Sequence, residues 1–166
     1  MTIYLVVPLL VIGAVLQATI VPHLTIGGVF ADLPLLIVVS WSLLRGAREG
    51  VVWGFIAGLA VDLLSGAPFG AATLSLIAVG FLSRVGEGTV FGTRVVLLLV
   101  TTFLATIVYD LVFLLIVQIS GQTVAWLGSL LRVILPSAAL NAVLSPIIFG
   151  MMRWLYTRLG REGMEL

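Results

Sequence analysis

Few side chains in this sequence can do chemistry, and most of those are carboxylates set in apolar runs. Asp32, Asp62 and Asp110 stand among leucines, valines and phenylalanines, with Arg132 and Asn141 further along. A charge held in hydrocarbon costs about 2.5–3.5 kcal/mol on insertion scales, so each is expected to face the protein interior and find a partner. Arg132 is expected to pair with Asp62 or Asp110, and Asn141 to hydrogen-bond between helices. Asp62, Asp110, Arg132 and Asn141 are read together as one buried polar cluster. For Asp32 and Arg132 the plainer alternative is a place among lipid headgroups. Gln17 and Thr19 have either an interhelical hydrogen bond or ordinary packing open to them.

No catalytic set accompanies these groups. His23 is the single histidine, beside Pro22, and is read as a surface residue. There is no metal-ligand motif, no serine with a matching base and no loop built to cradle phosphate. Cysteine is absent, which removes disulfides and thiol chemistry. The expectation is a protein without cofactor or metal that is not an enzyme.

A stripe of glycines leads to one of the acids: Gly50, Gly54, Gly58, then Asp62, then Gly66 and Gly70. Residues four apart share a helix face. Gly50, Gly54 and Gly58 therefore cut a groove along one helix, with Asp62 at its end. In water each interior glycine costs about 0.5–1 kcal/mol relative to alanine. In lipid the same groove lets two helix backbones touch, and close packing is a main source of attraction there. The groove is expected to serve close helix contact, inside the bundle in preference to against a partner helix. Ser65, Gly66, Pro68 and Gly70 mark the turn that follows, with Ser65 ending the helix.

Composition says which solvent these elements face. Of 166 residues, 61% are hydrophobic and 9% charged, and the mean hydropathy is +1.31. A soluble domain of this size could not cover so much apolar surface. The net charge of +1 gives no reason to expect nucleic acid. Apolar runs bounded by charge, glycine or proline give six segments: Thr2–Val21, Val29–Leu44, Val51–Leu64, Phe69–Ser83, Val95–Ser120 and Val133–Tyr156. The first is read as a retained helix rather than a signal peptide. The second and third meet at a polar turn, Leu44 to Gly50, as an antiparallel hairpin. Pro136 falls in the first turn of the sixth, and Pro146 should kink it by freeing the carbonyl of Ala142. Trp41, Trp53, Trp126, Trp154 and Tyr156 fall near segment ends, as interfacial anchors do.

All eight basic residues are arginine. With a cytoplasmic N-terminus and six spans, Arg45, Arg48, Arg84, Arg94, Arg153, Arg158 and Arg161 lie inside and only Arg132 outside, a strong positive-inside bias. The expectation is an all-α polytopic membrane protein, one integral domain over residues 1–166, with both ends in the cytosol.

Particular residues then resemble a family. The run from Gly54 to Gly70, GFIAGLAVDLLSGAPFG, looks like the signature of the rod shape-determining protein MreD family. Leu16-Gln17-Ala18-Thr19 in the first helix fits, as do Arg132 to Pro136, Asn141 and Ser145-Pro146 in the last. Ala31-Asp32-Leu33-Pro34 departs from it, because many relatives carry proline immediately before this aspartate. The resemblance implies a bacterial cytoplasmic-membrane protein beside the bitopic protein MreC. It implies a role in organising the peptidoglycan elongation synthases, RodA and a class B penicillin-binding protein, with an indirect link to MreB filaments. It also implies a fold similar to the S-components of energy-coupling-factor vitamin transporters. The chain is thus read as a scaffold or regulator of cell shape, with lipid around it and a second copy of itself as a further candidate partner.

Two rival readings have their own residues. Ala14-Val15-Leu16-Gln17-Ala18 carries the AxxxA spacing that such S-components use, which leaves a substrate-binding subunit of a small-molecule transporter as the alternative. Asp62 with Asp110 is the only acid pair available to a membrane enzyme acting on a lipid-linked substrate.

Overall fold

The structure is a computed structural model and describes residues 2–19, 29, 31–83 and 95–162. Its elements are helices: α1 (Thr2–Thr19), α2 (Leu33–Arg45), α3 (Ala47–Leu64), α4 (Ala71–Leu82), α5 (Val95–Ile119), a short α6 (Trp126–Ser129), a π-helical stretch over Leu130–Ile134, and α7 (Leu135–Glu162). His23, Arg84 and Arg94 lie outside the described residues.

The bundle is built around α2. Every residue from Pro34 to Leu43 is buried, and α2 touches α1, α3, α4, α5 and α7. At 13 residues it is only about 20 Å long at 1.5 Å per residue, too short to cross a bilayer core of roughly 30 Å unaided. It is a central strut enclosed by its neighbours. It starts at Leu33 rather than Val29 because Asp32 takes the N-cap position and Pro34 sits in the first turn.

The exterior is apolar. Val52, Phe55, Leu63, Phe81, Val96, Leu104, Val143, Ile147 and Met151 are all exposed, while Ser40, Ser42, Thr102, Asn141 and Ser145 are buried. Polar groups inside and large aliphatic groups outside is the pattern of a helix bundle in lipid. Val95–Ile119 and Trp126–Arg158 are each long and apolar enough to span a membrane.

Glycines hold the tightest contact. A Cβ on Gly54 would lie 2.5 Å from the Leu76 carbonyl oxygen, one on Gly58 would strike the Thr73 backbone, and one on Gly80 would come within 2.6 Å of the Gly50 carbonyl group. So α3 and α4 run backbone against backbone. Gly50 takes the side chain of Ser42 from α2 instead, and that hydroxyl also donates to the Gly80 carbonyl at 3.3 Å. The groove is occupied inside the bundle.

The hairpin turn is tighter than its polar residues imply. Arg45 ends α2, Ala47 opens α3, and Gly46 alone (φ 98°) turns the chain. Arg45 and Glu49 form an ion pair at 2.8 Å, and the Arg45 guanidinium lies 5.7 Å from the Tyr156 ring centroid on α7. Burial alone would raise the Glu49 pKa, but hydrogen bonds from Arg45 and from Trp41 hold it below the usual carboxylate value. Trp41 and Trp53 are not interfacial anchors. They are 0% and 5% exposed and belong to the core, Trp41 donating to Glu49 at 3.3 Å. Trp126 and Trp154 are exposed.

The last helix also differs from its expected form. Pro136 is the second residue of α7, in its first turn as expected, but the chain ahead of it is already helical, as α6 and the π stretch. The wider π turn ahead of it accommodates the proline ring, which would press on the carbonyl of residue 132 in a regular α-helix. Pro146 leaves the Ala142 carbonyl without its helical donor, and the Ser145 hydroxyl supplies one at 2.7 Å.

Candidate functional site

The polar side chains gather at one end of the bundle, where α2 and α4 begin and α3 finishes. Their first role is to satisfy backbone. A helix start leaves N–H groups without partners, and none can be left bare in hydrocarbon. At α2 the accounting closes completely. Asp32 N–H donates to Asn141 Oδ1 at 3.0 Å and Leu33 N–H to Gln17 Oε1 at 3.0 Å. Pro34 has no N–H. Leu35 N–H donates to Asp32 Oδ1 at 3.2 Å and Leu36 N–H to the Asp32 carbonyl at 3.0 Å. Asn141 also donates from Nδ2 to Thr106 Oγ1 at 3.3 Å, which joins α7 to both α2 and α5.

The start of α4 is handled from another helix. Gly70 stands at its N-cap with φ 96° and no side chain to cap with. Asp62, 4% exposed at the end of α3, accepts from Gly70 N–H at 3.0 Å, Ala72 N–H at 2.9 Å, Thr73 N–H at 3.0 Å and the Thr73 hydroxyl at 2.5 Å. Ala71 N–H goes to the Pro68 carbonyl. Ser65 is the C-cap of α3, its N–H on the Val61 carbonyl at 2.8 Å, and Ser65, Gly66, Pro68 and Gly70 lie in the α3–α4 connection.

The expected ion pair is not formed. Arg132 lies in the π turn, is exposed, and makes no ion pair or hydrogen bond among the described residues. The physical reason is on the acid's side: Asp62 already has its oxygens filled by neutral donors from α4. The buried cluster therefore divides. Asp62 caps α4, Asn141 supports the start of α2, Arg132 stays outside, and Asp110 opens onto a cavity.

That cavity holds about 540 Å³. Its walls are Ala14, Gln17 and Ala18 of α1, Asp32, the end of α3 with Val61, Leu64, Ser65 and Gly66, then Tyr109, Asp110, Phe113 and Leu114 of α5, Ser129, and Val133 and Ile134 of the π turn. Tyr109 stacks on Phe113 with centroids 6.0 Å apart. An apolar concavity with a few convergent polar groups is the usual form of a binding site.

Across this whole arrangement a family model for the rod shape-determining protein MreD matches residues 1–158. The chain belongs to the MreD family. No curated protein and no solved structure matches it. MreD membership makes this a membrane protein of the rod cell-shape system, in agreement with its apolar exterior and its two long apolar helices.

Within this MreD-family chain, sequence reasoning missed the partners more than the acids. Thr73, whose backbone and hydroxyl both bind Asp62, carries no spacing signal. The bare glycine at the start of α4 is the clue that a cap must come from elsewhere. Tyr109 and Phe113 could have been found as the aromatic ridge flanking Asp110 one turn apart. Gly80 was hidden because it has no glycine neighbours at helical spacing.

Proposed function

We propose that this protein is a non-enzymatic membrane scaffold that binds an MreC-like bitopic protein and through it helps to organise the peptidoglycan elongation synthases, RodA and a class B penicillin-binding protein, beside MreB filaments. The observation that carries this reading is the family match over residues 1–158. The chain threads the cytoplasmic membrane six times with both ends in the cytosol. Arg45, Arg48, Arg153 and Arg158 lie towards the inner face, in accord with the positive-inside rule, and the Asp32–Asp62 end faces outward. On that orientation the cavity opens toward the outer leaflet. There it receives the membrane-proximal segment of the partner, whose transmembrane helix runs along the apolar exterior.

Two measurements test this. The natural absence of cysteine makes single-cysteine labelling clean. Gly66→Cys is expected to react with an impermeant maleimide in intact cells, and Thr157→Cys only after the membrane is opened; the reverse pattern rejects the orientation. Tagged protein purified in mild detergent is expected to bring down the MreC-like protein. Val133→Trp, which fills the mouth of the cavity, is expected to lower that yield at least tenfold. Wild-type protein that captures no such partner rejects the scaffold reading.

A further inference from the structure

Among the described arginines, Arg132 alone stands at the Asp32–Asp62 end of the bundle. Arg45 is paired with Glu49, Arg158 lies over the Trp154 ring, and Arg48 and Arg153 share the opposite end with them. Hydrogen bonding fixes the height of Arg132. Asn141 of α7 meets Thr106 of α5, so these two lie at one level. Arg132 is nine residues outward of Asn141, and Leu115 nine outward of Thr106, roughly 13 Å in each case at 1.5 Å per residue. Leu115 is in turn 20 residues from Val95, where α5 begins, or about 30 Å, the thickness of a hydrocarbon core. Arg132 therefore stands where hydrocarbon ends and lipid phosphates begin. It is exposed and without an ion pair among the described residues.

The cavity lies just inward of it. Val133 and Ile134, the next two residues, form one wall, and Phe113, Leu114, Val61 and Leu64 line the same space. Phe113 and Ile134 are each seven residues outward of the Thr106–Asn141 pair, so this apolar belt lies roughly 10 Å from that level. The carboxylates are deeper. The Asp32 N–H bonds Asn141 itself, and Asp110 is one turn from Thr106. Charge is thus ordered along the cavity, with a cation at the outer rim, carbon in the middle and acids at the base. An anion is disfavoured at the base and favoured at the rim.

We infer that the cavity holds one acyl chain of an outer-leaflet glycerophospholipid whose phosphate is bound by Arg132. The occupant follows from what borders the opening. Val133 and Leu64 are half exposed and open it to hydrocarbon, and apolar space of this kind does not hold ordered water. At the level of Arg132 the anion that a bilayer supplies is the phosphodiester, and a guanidinium meets two of its oxygens at once. A chain that descends only to Phe113 and Ile134 leaves the acids untouched. This goes beyond the scaffold reading and needs no partner; the partner segment proposed above would enter by displacing the chain.

The probe is dioctanoylphosphatidylglycerol, with dioctanoylglycerol as the control that keeps the chains and lacks the phosphate. The readout is thermal unfolding of the purified full-length protein in maltoside detergent. At ten times its dissociation constant the phospholipid is expected to raise the midpoint by about 3–5 °C, and dioctanoylglycerol at the same concentration by about 1 °C or less. Arg132→Gln is expected to reduce the phospholipid shift to that of the diacylglycerol, and Arg132→Lys, which keeps the charge, to retain most of it. An exposed, unpaired side chain can be exchanged without harm to folding. Val133→Trp is expected to remove both shifts. Equal shifts from the two probes, or an undiminished phospholipid shift in Arg132→Gln, would overturn the inference. So would inorganic phosphate that reproduces the lipid's effect, which would mean an anion site with no use for the chain. Loss of partner capture in Arg132→Gln, with no lipid shift in the wild type, would give the rim to the partner and overturn the lipid assignment. A protein that binds the lipid but captures no partner keeps this site and loses the scaffold reading.

Discussion

Replacing Gly58 with alanine is expected to destabilise the protein by about 2–3 kcal/mol, the upper range for forcing a methyl group into a closed contact. The added Cβ would collide with the Thr73 backbone, not with the movable end of a side chain. Relief therefore requires α3 and α4 to separate, and that loosens the neighbouring contacts of Gly54 and Gly80, where an added Cβ would lie 2.5 and 2.6 Å from backbone atoms of the facing helix. Because lipid is as apolar as leucine, no hydrophobic gain offsets the lost packing. Gly58→Leu should cost more and lower the yield of folded protein. The control is Gly150→Ala on α7, where nothing lies within 4 Å of the new atom. It should be neutral or stabilising by up to about 1 kcal/mol, since glycine is the poorer helix former. Thermal unfolding in detergent, followed by helical circular dichroism, separates them. At about 2–4 °C per kcal/mol for a chain of this size, Gly58→Ala should fall by roughly 4–12 °C. A Gly58→Ala protein as stable as Gly150→Ala would show that the α3–α4 contact is looser than described.

The glycine stripe was readable because helical spacing is a property of one strand of sequence. What it packs against was not. Nothing in the chain announces that Thr73 and Leu76 present bare backbone to it, since that depends on how α4 returns. The same division holds for the charges. Asp32 and Asp62 stand at helix ends in the sequence and at helix ends in the structure, yet the expected arginine pairing assumed that an acid in an apolar run needs a cation. It needs donors of any kind, and an unsatisfied helix start offers several at once. Arg132 could therefore stay at the surface. Asn141 was visible as an interhelical bonder, but its partner, the Asp32 N–H 109 positions away, follows only from three-dimensional closure. The tryptophans misled for a related reason. Nearness to a segment end predicts an interfacial ring only if the ring faces lipid: α2, which carries Trp41, is buried throughout, and Trp53 lies on the core side of α3.

Removing the Asp62 carboxylate is expected to have the largest effect of any polar substitution. Asp62→Ala strips acceptors from Gly70, Ala72 and Thr73 N–H and from the Thr73 hydroxyl in a site that is 4% exposed. A hydrogen bond to a charged group contributes about 1.5–3 kcal/mol, and a buried donor left unmet costs its desolvation besides. These donors share one carboxylate and do not add independently, so the loss is put at about 4 kcal/mol rather than their sum. Asp62→Asn keeps one carbonyl oxygen but places an NH₂ group against N–H donors. It should lose about half as much. The pattern separates a capping role from an ion pair. Were Asp62 held by a cation, its removal would couple to an arginine. Here it should couple to Thr73. In a double-mutant cycle Asp62→Ala and Thr73→Val should be non-additive by 1 kcal/mol or more, whereas Asp62→Ala and Arg132→Gln should add. Coupling to Arg132 with none to Thr73 would overturn the assignment and restore the buried ion pair. Because α4 is wedged against α3 through glycine, a frayed α4 start would also open the wall that Ser65 and Gly66 give the cavity.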